Sequence, residues 1–141
     1  MFNKILVGYD GSKGGKAALK GAAEIAEKFD GHVTALWVRE PLPRHSDLPG
    51  EFEEEATAAD EYYQARQKEV AEIAAQYGLS IGCEAQRGHP AKMIVEFAKK
   101  HAHDLIVIGH SDHSELWGRL LGDTADRISD HAQCSVLIVK I

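Results

Sequence analysis

Two hydrophobic rhythms alternate along this chain. Residues 4–9, 32–38, 104–108 and 135–140 are short runs rich in Val, Ile and Leu. Between them lie longer stretches in which apolar residues recur every three or four positions. A run that is apolar on both faces predicts a parallel strand covered by helices on both sides. A stripe at helical spacing predicts a helix packed by one face.

The first helix is expected to start at Ser12, a suitable N-cap, and to run to about Asp30. Leu19, Ala22, Ala23, Ala26 and Phe29 form its expected buried stripe, and Gly31 its stop. Pro41, Pro43 and Pro49 mark an irregular connection. A long second helix then runs to Tyr77, ahead of Gly78. Tyr63, Arg66, Val70, Ile73 and Tyr77 share one side of it. Residues 79–86 form a third strand, less apolar than the others and so nearer an edge. Pro90 suits the first position of a third helix, with Met93, Ile94, Phe97 and Ala98 inside. A fourth helix starts near Thr124, with Ala125, Ile128 and Ala132 inward. The order is β-α-β-α-β-α-β-α-β. With right-handed crossovers this gives one domain over residues 1–141, a three-layer α/β/α sandwich on a parallel sheet.

Composition narrows the function classes. The 141 residues suffice for one core. A formal net charge of -6 argues against non-specific binding to nucleic acid or an anionic membrane. No apolar run is long enough to span a bilayer, and the chain enters its first strand too early for a signal peptide. Cys83 and Cys134 are expected to be reduced and structural, and the protein cytoplasmic. Residues 47–61 hold seven acids and no Lys or Arg. That is a solvated helix surface, or else a docking face for a basic partner.

In such folds ligands sit beyond the carboxyl ends of strands, where strand order reverses. The ends to inspect are Gly8-Tyr9-Asp10, Val38-Arg39 and Gly109-His110. Asp10 either orients a ribose, a base edge or magnesium, or closes an Asx turn into the helix. Gly8 and Gly109 permit close backbone approach, by a ligand or in a tight turn. Gly88-His89-Pro90 opens the third helix toward the same crevice. After Gly109 comes a loop of phosphate size, then Gly122-Asp123-Thr124 at a helix start. Helix starts attract anions. Here, however, Asp123 stands at the expected N-cap and can accept those amides itself. Asp112 adds a second acid. Facing a phosphate at about 4 Å, it would repel by about 4 kcal/mol at an effective dielectric near 20. A bridging magnesium ion would reverse that sign. His110, Asp112, His113 and Glu115 cluster in this loop, either as a metal site or as an exposed polar loop.

Four motifs together resemble the universal stress protein family across essentially the whole chain. They are Ile5-Leu6-Val7-Gly8-Tyr9-Asp10-Gly11-Ser12, Gly88-His89-Pro90-Ala91, Asp104-Leu105-Ile106-Val107-Ile108-Gly109, and residues 131–139. The resemblance implies a five-stranded parallel sheet of order 3-2-1-4-5, of the adenine nucleotide alpha hydrolase-like type, and a homodimer through the last strands. It implies Asp10 near ribose or metal and the Val38 backbone against adenine. Gly109, Asp112, Gly122, Asp123 and Thr124 would line the phosphate region, with Gly8, Gly88 and Ile108 beside it. ATP-binding members carry Gly, two residues, Gly, nine residues, then Gly followed by Ser or Thr. The spacing is kept here, but Asp112 replaces the second glycine and Asp123 the hydroxyl.

The expected function is therefore a non-enzymatic stress-response or regulatory dimer, acting with an unidentified protein partner and not binding ATP strongly. The alternatives are an ATP or AMP sensor or weak ATPase using magnesium, and a metal-binding protein. No base, nucleophile or phosphate-clamping lysine stands out in the sequence.

Overall fold

In the computed structural model, nine elements follow one another as β1 (Lys4–Gly8), α1 (Lys13–Phe29), β2 (His32–Arg39), α2 (Glu51–Gln76), β3 (Gly82–Arg87), α3 (Pro90–Lys100), β4 (Leu105–Gly109), α4 (Asp123–His131) and β5 (Ser135–Val139). The structure describes residues 1–40, 51–110 and 123–141, with the backbone alone at 51–55 and 123. The five strands pair in parallel in the order β3-β2-β1-β4-β5. The order reverses between β1 and β4, whose register sets Ile5 beside Leu105, Leu6 beside Ile106 and Val7 beside Val107.

Successive residues of a strand point to opposite faces, so each strand feeds two cores. Ile5, Val7, Val33, Ala35, Leu105 and Val107 meet Leu19, Ala22 and Ala26 of α1 and Val70 and Ile73 of α2. Leu6, Leu36, Ile106 and Ile108 meet Ile94, Phe97 and Ala98 of α3 and Ile128 of α4. These are the stripes that helical periodicity predicts, apart from Phe29, which is 58% exposed. The buried contacts of α1 end at Ala26, and its final turn carries Phe29 past them. The stop of α1 also differs by one residue. Asp30, not Gly31, takes the left-handed conformation at φ 56°, and its N–H bonds the Ala26 carbonyl. Asp tolerates this region better than most residues.

β3 lies at one edge and is mostly exposed, as its polar composition predicts. β5 lies at the other edge. Its Leu137 is 38% exposed, and Ile141 beyond it 73%. At the amino ends of the central strands, the Asp104 carboxylate accepts the Asn3 N–H at 2.8 Å and the Lys4 N–H at 3.0 Å. No helix among the described residues is long and apolar enough to cross a membrane.

Candidate functional site

The switch point brings the ends of β1 and β4 together as expected, and the protein itself fills much of the space. α1 starts immediately after β1. Ser12 is extended, and its Oγ accepts the Gly15 N–H at 3.0 Å. Asp10 Oδ1 accepts the Ser12 N–H at 3.0 Å, which is an Asx turn. Of the two readings left open for Asp10, the structure shows the turn. A second carboxylate oxygen remains for other contacts.

The first turn of α1 lies directly on the end of β4. A Cβ on Gly109 would stand 2.0 Å from the Gly14 carbonyl oxygen, and a Cβ on Gly14 2.2 Å from that of His110. Gly109 is thus required by the helix start, whether or not a ligand approaches. Gly8 is similar, since a Cβ there would meet Ile94 Cδ1 at 3.0 Å. Ile108 is buried in the core, which leaves only its backbone for a ligand. Val38 packs at the border of the same core near the end of β2. Gly88, at φ 147°, turns the chain from β3 into α3. The His110 N–H bonds the Val139 carbonyl at 2.8 Å, tying the β4 end to β5.

The other wall of the β1–α1 loop comes from α2. The Tyr62 hydroxyl donates to the Asp10 carbonyl. Arg66 lies over the Tyr62 ring at 4.2 Å and against Gly11, where φ is 86°. Its guanidinium bonds Glu69 at 2.8 Å, and Glu69 accepts the buried Tyr9 hydroxyl at 2.7 Å. Burial first, then the Glu69 hydrogen bond and charge, push the Tyr9 hydroxyl well above the usual phenol range. Trp37 completes the wall, with ring centroids 5.0 Å from Tyr62 and 5.9 Å from Tyr63. Nothing in the sequence motifs marked this network. Its only signal was the one-sided spacing of Tyr63, Arg66 and Val70 on α2.

On the α3–α4 face lies a cleft of about 730 Å³. Glu40, His89, Lys92, Glu96, Thr124, Arg127 and His131 line it beside Pro90, Ala91 and Val95. It joins His89, Pro90 and Thr124, which the sequence placed toward the ligand crevice, and contains none of Gly8, Asp10, Val38 or Gly109. Lys92 and Arg127 are the residues that sequence reasoning missed. They sit one turn apart from His89 and His131 respectively, so helical spacing alone could have placed each pair on one face.

Asp112, Gly122, His113 and Glu115 lie outside the described residues. Asp123 is the first residue of α4, with its side chain also outside that description. Among the described residues, no three His, Cys, Asp or Glu side chains are gathered to hold a metal. Cys83 and Cys134 are unbonded and pack at opposite cores. Burial pushes both thiols up, away from the reactive thiolate range.

The comparisons agree with this geometry. The model of the Universal stress protein family matches residues 1–140. A universal stress protein of Methanocaldococcus jannaschii is 38% identical over 99% of this chain and 83% of its own. Among solved structures, universal stress protein UspA from Lactobacillus plantarum is 29% identical with a TM-score of 0.75, covering 98% of this chain and 97% of its own. A universal stress protein in complex with cAMP is 26% identical with a TM-score of 0.74, covering 97% and 96%.

Proposed function

This chain belongs to the universal stress protein family, and on that premise we propose a non-enzymatic stress-response protein that acts through a second copy or a protein partner and does not bind ATP tightly. The observation that carries this reading is the use made of Asp10. Asp10, at the end of β1, already accepts the Ser12 N–H, while the Tyr62 hydroxyl holds its carbonyl and Arg66 lies against the adjoining Gly11. The Ser12 hydroxyl caps α1. Asp10 Oδ1 and Ser12 Oγ are thus both spent on the start of α1, which leaves one carboxylate oxygen of Asp10 for other work. Asp112 and Asp123 stand in sequence where ATP-binding members of the family carry glycine and a hydroxyl.

Titration calorimetry with ATP and magnesium tests the reading. The expected result is no binding as tight as about micromolar, roughly 8 kcal/mol. Micromolar or tighter binding overturns it. The dimer rests on family resemblance and on the exposed Leu137 and Ile141 at the β5 edge. Light scattering that returns a monomer mass at micromolar concentration removes it.

A second reading takes the crevice as a weak site for an adenine nucleotide with a single phosphate. The relative in complex with cAMP favours it, because such a ligand carries no phosphate tail to meet two acids. Its signature is measurable binding of cAMP or AMP with weaker binding of ATP. Equal silence from all three removes this reading and leaves the first standing.

A further inference from the structure

We propose that the open edge of β3 pairs with the same edge of a second copy, antiparallel and centred on Ala85, so that two sheets join into one. β3 is six residues long, and no described strand lies beyond it. One bond shows which of its backbone groups are open. The Gly88 N–H reaches the Arg39 carbonyl of β2 at 2.9 Å. Backbone groups alternate in direction along a strand, so those of Glu84 and Gln86 also face β2, and those of Cys83, Ala85 and Arg87 face outward. Such a row is a template for another strand, and Pro, Lys or a bulge ordinarily guards it. β3 holds neither Pro nor Lys, and its register with β2 runs unbroken from Gly82 to Arg87. Glu84, Ala85, Gln86 and Arg87 are all exposed.

Self-complementarity selects a second copy as the occupant. Centred on Ala85, the pairing sets Ala85 of one copy beside Ala85 of the other, Cys83 beside Arg87, and Glu84 beside Gln86. The outward groups of Cys83, Ala85 and Arg87 then meet as exchanged N–H···O=C pairs. The Gln86 amide donates to the Glu84 carboxylate of the other copy, and the twofold axis repeats that bond. Ala85, the smallest side chain of the inner strand, lies on the axis, where two copies of one side chain crowd each other. The neighbouring registers are worse. Centring on Glu84 opposes two like charges. Centring on Gln86 sets Glu84 against Gly88, which lies past the end of the strand at φ 147°. The incoming Glu84 also has room. Gln86 borders a groove of about 170 Å³ with Met93, Glu96, Phe97 and Lys100. Glu96 and Lys100 balance there, so the match rests on the Gln86 amide and not on net charge.

This interface is separate from the switch-point crevice and from pairing at β5, which uses the opposite edge of the sheet. Amide exchange with water, followed by NMR on nitrogen-15-labelled full-length protein, tells the two edges apart. For a Kd of about 100 µM, the amides of Cys83, Ala85 and Arg87 are expected to exchange about fourfold more slowly at about 1 mM protein than at about 10 µM. Ala85→Pro removes only an outward N–H, which an edge strand tolerates. It is expected to keep a folded spectrum and lose the concentration dependence at Cys83 and Arg87. Ala85→Lys, which places two like charges on the axis, is expected to lose it as well and serves if the proline variant does not fold. Equal exchange at both concentrations in the wild type overturns the proposal. So does a concentration dependence that survives in a folded variant. Slowing confined to the amides of β5 overturns it too, while leaving the dimer through the last strand in place.

Discussion

Gly14 and Gly109 touch through their backbones, with a Cβ on Gly109 falling 2.0 Å from the Gly14 carbonyl oxygen. Alanine at either position must push α1 away from the β4 end. Gly14→Ala gains about 1 kcal/mol of helix propensity, but the clash with backbone outweighs it. A net loss of about 1–3 kcal/mol is expected, as for other overpacked sites. Gly21 is the control within the same helix. A Cβ there meets Val139 Cγ2 at 3.6 Å, an ordinary contact. Gly21→Ala is expected to stabilise by about 0.5–1 kcal/mol. Urea melts of the three proteins decide the signs.

Asp10 separates a structural role from a charged one. Asp10→Asn keeps a side-chain oxygen for the Ser12 N–H, so stability should change by less than about 1 kcal/mol. Asp10→Ala removes the acceptor and Ser12→Ala removes the α1 cap, each at a cost of about 0.5–2 kcal/mol. Thermal melts in which Asp10→Asn is as damaging as Asp10→Ala would show that the charge, not the turn, matters.

The chain Tyr9–Glu69–Arg66 ties the end of β1 to α2. Tyr9→Phe removes one hydrogen bond and should cost about 0.5–1.5 kcal/mol. Glu69→Ala leaves the buried hydroxyl without its acceptor and should cost about 1–3 kcal/mol. Adding Tyr9→Phe to Glu69→Ala should then cost nothing further. A double-mutant cycle with no coupling would contradict the tie.

His103 should make the protein sensitive to acid. It is 7% exposed, and neither ring nitrogen has a hydrogen-bond partner among the described residues. Burial, then the charges of Lys4 and His101, hold it down to about 4, while the Ala98 carbonyl and Asp104 pull weakly upward. An unfolded histidine titrates near 6.5. Between those values the unfolded chain takes a proton that the folded one refuses. Stability is therefore full above pH ~6.5 and falls by about 1.4 kcal/mol per unit as the pH drops toward 4, about 3 kcal/mol in all. His103→Leu should flatten that slope and be the more stable protein at pH 5. Urea midpoints at pH 5 and 7.5 that move in parallel for both proteins would refute this.

The layering, the parallel sheet and nearly every helix stripe were legible in the sequence, because burial writes a period into the chain. Leu19, Ala22 and Ala26 show it, and so does the polar edge strand β3. Phe29 misled because periodicity does not say where the surface beneath a helix ends. Gly109 was readable as special, but the partner that makes it so lies 95 positions away in Gly14. Lys92 and Arg127 stayed hidden for a related reason. Each looks like an ordinary solvated helix charge until α3 and α4 are placed side by side.

The alternation of β1 also polices how the sheet is assembled. Ile5, Val7 and Tyr9 face α1 and α2, while Leu6 faces α3 beside Gly8, where Ile94 stands 3.0 Å from the place of a Cβ. A slip of one residue would exchange the two sets. It would drive the Tyr9 ring onto Ile94, into a gap that holds a hydrogen atom, and strand its hydroxyl far from Glu69. Misregistered chains are thus rejected by volume and by polarity at the same residue, and the central strand acts as its own proofreader.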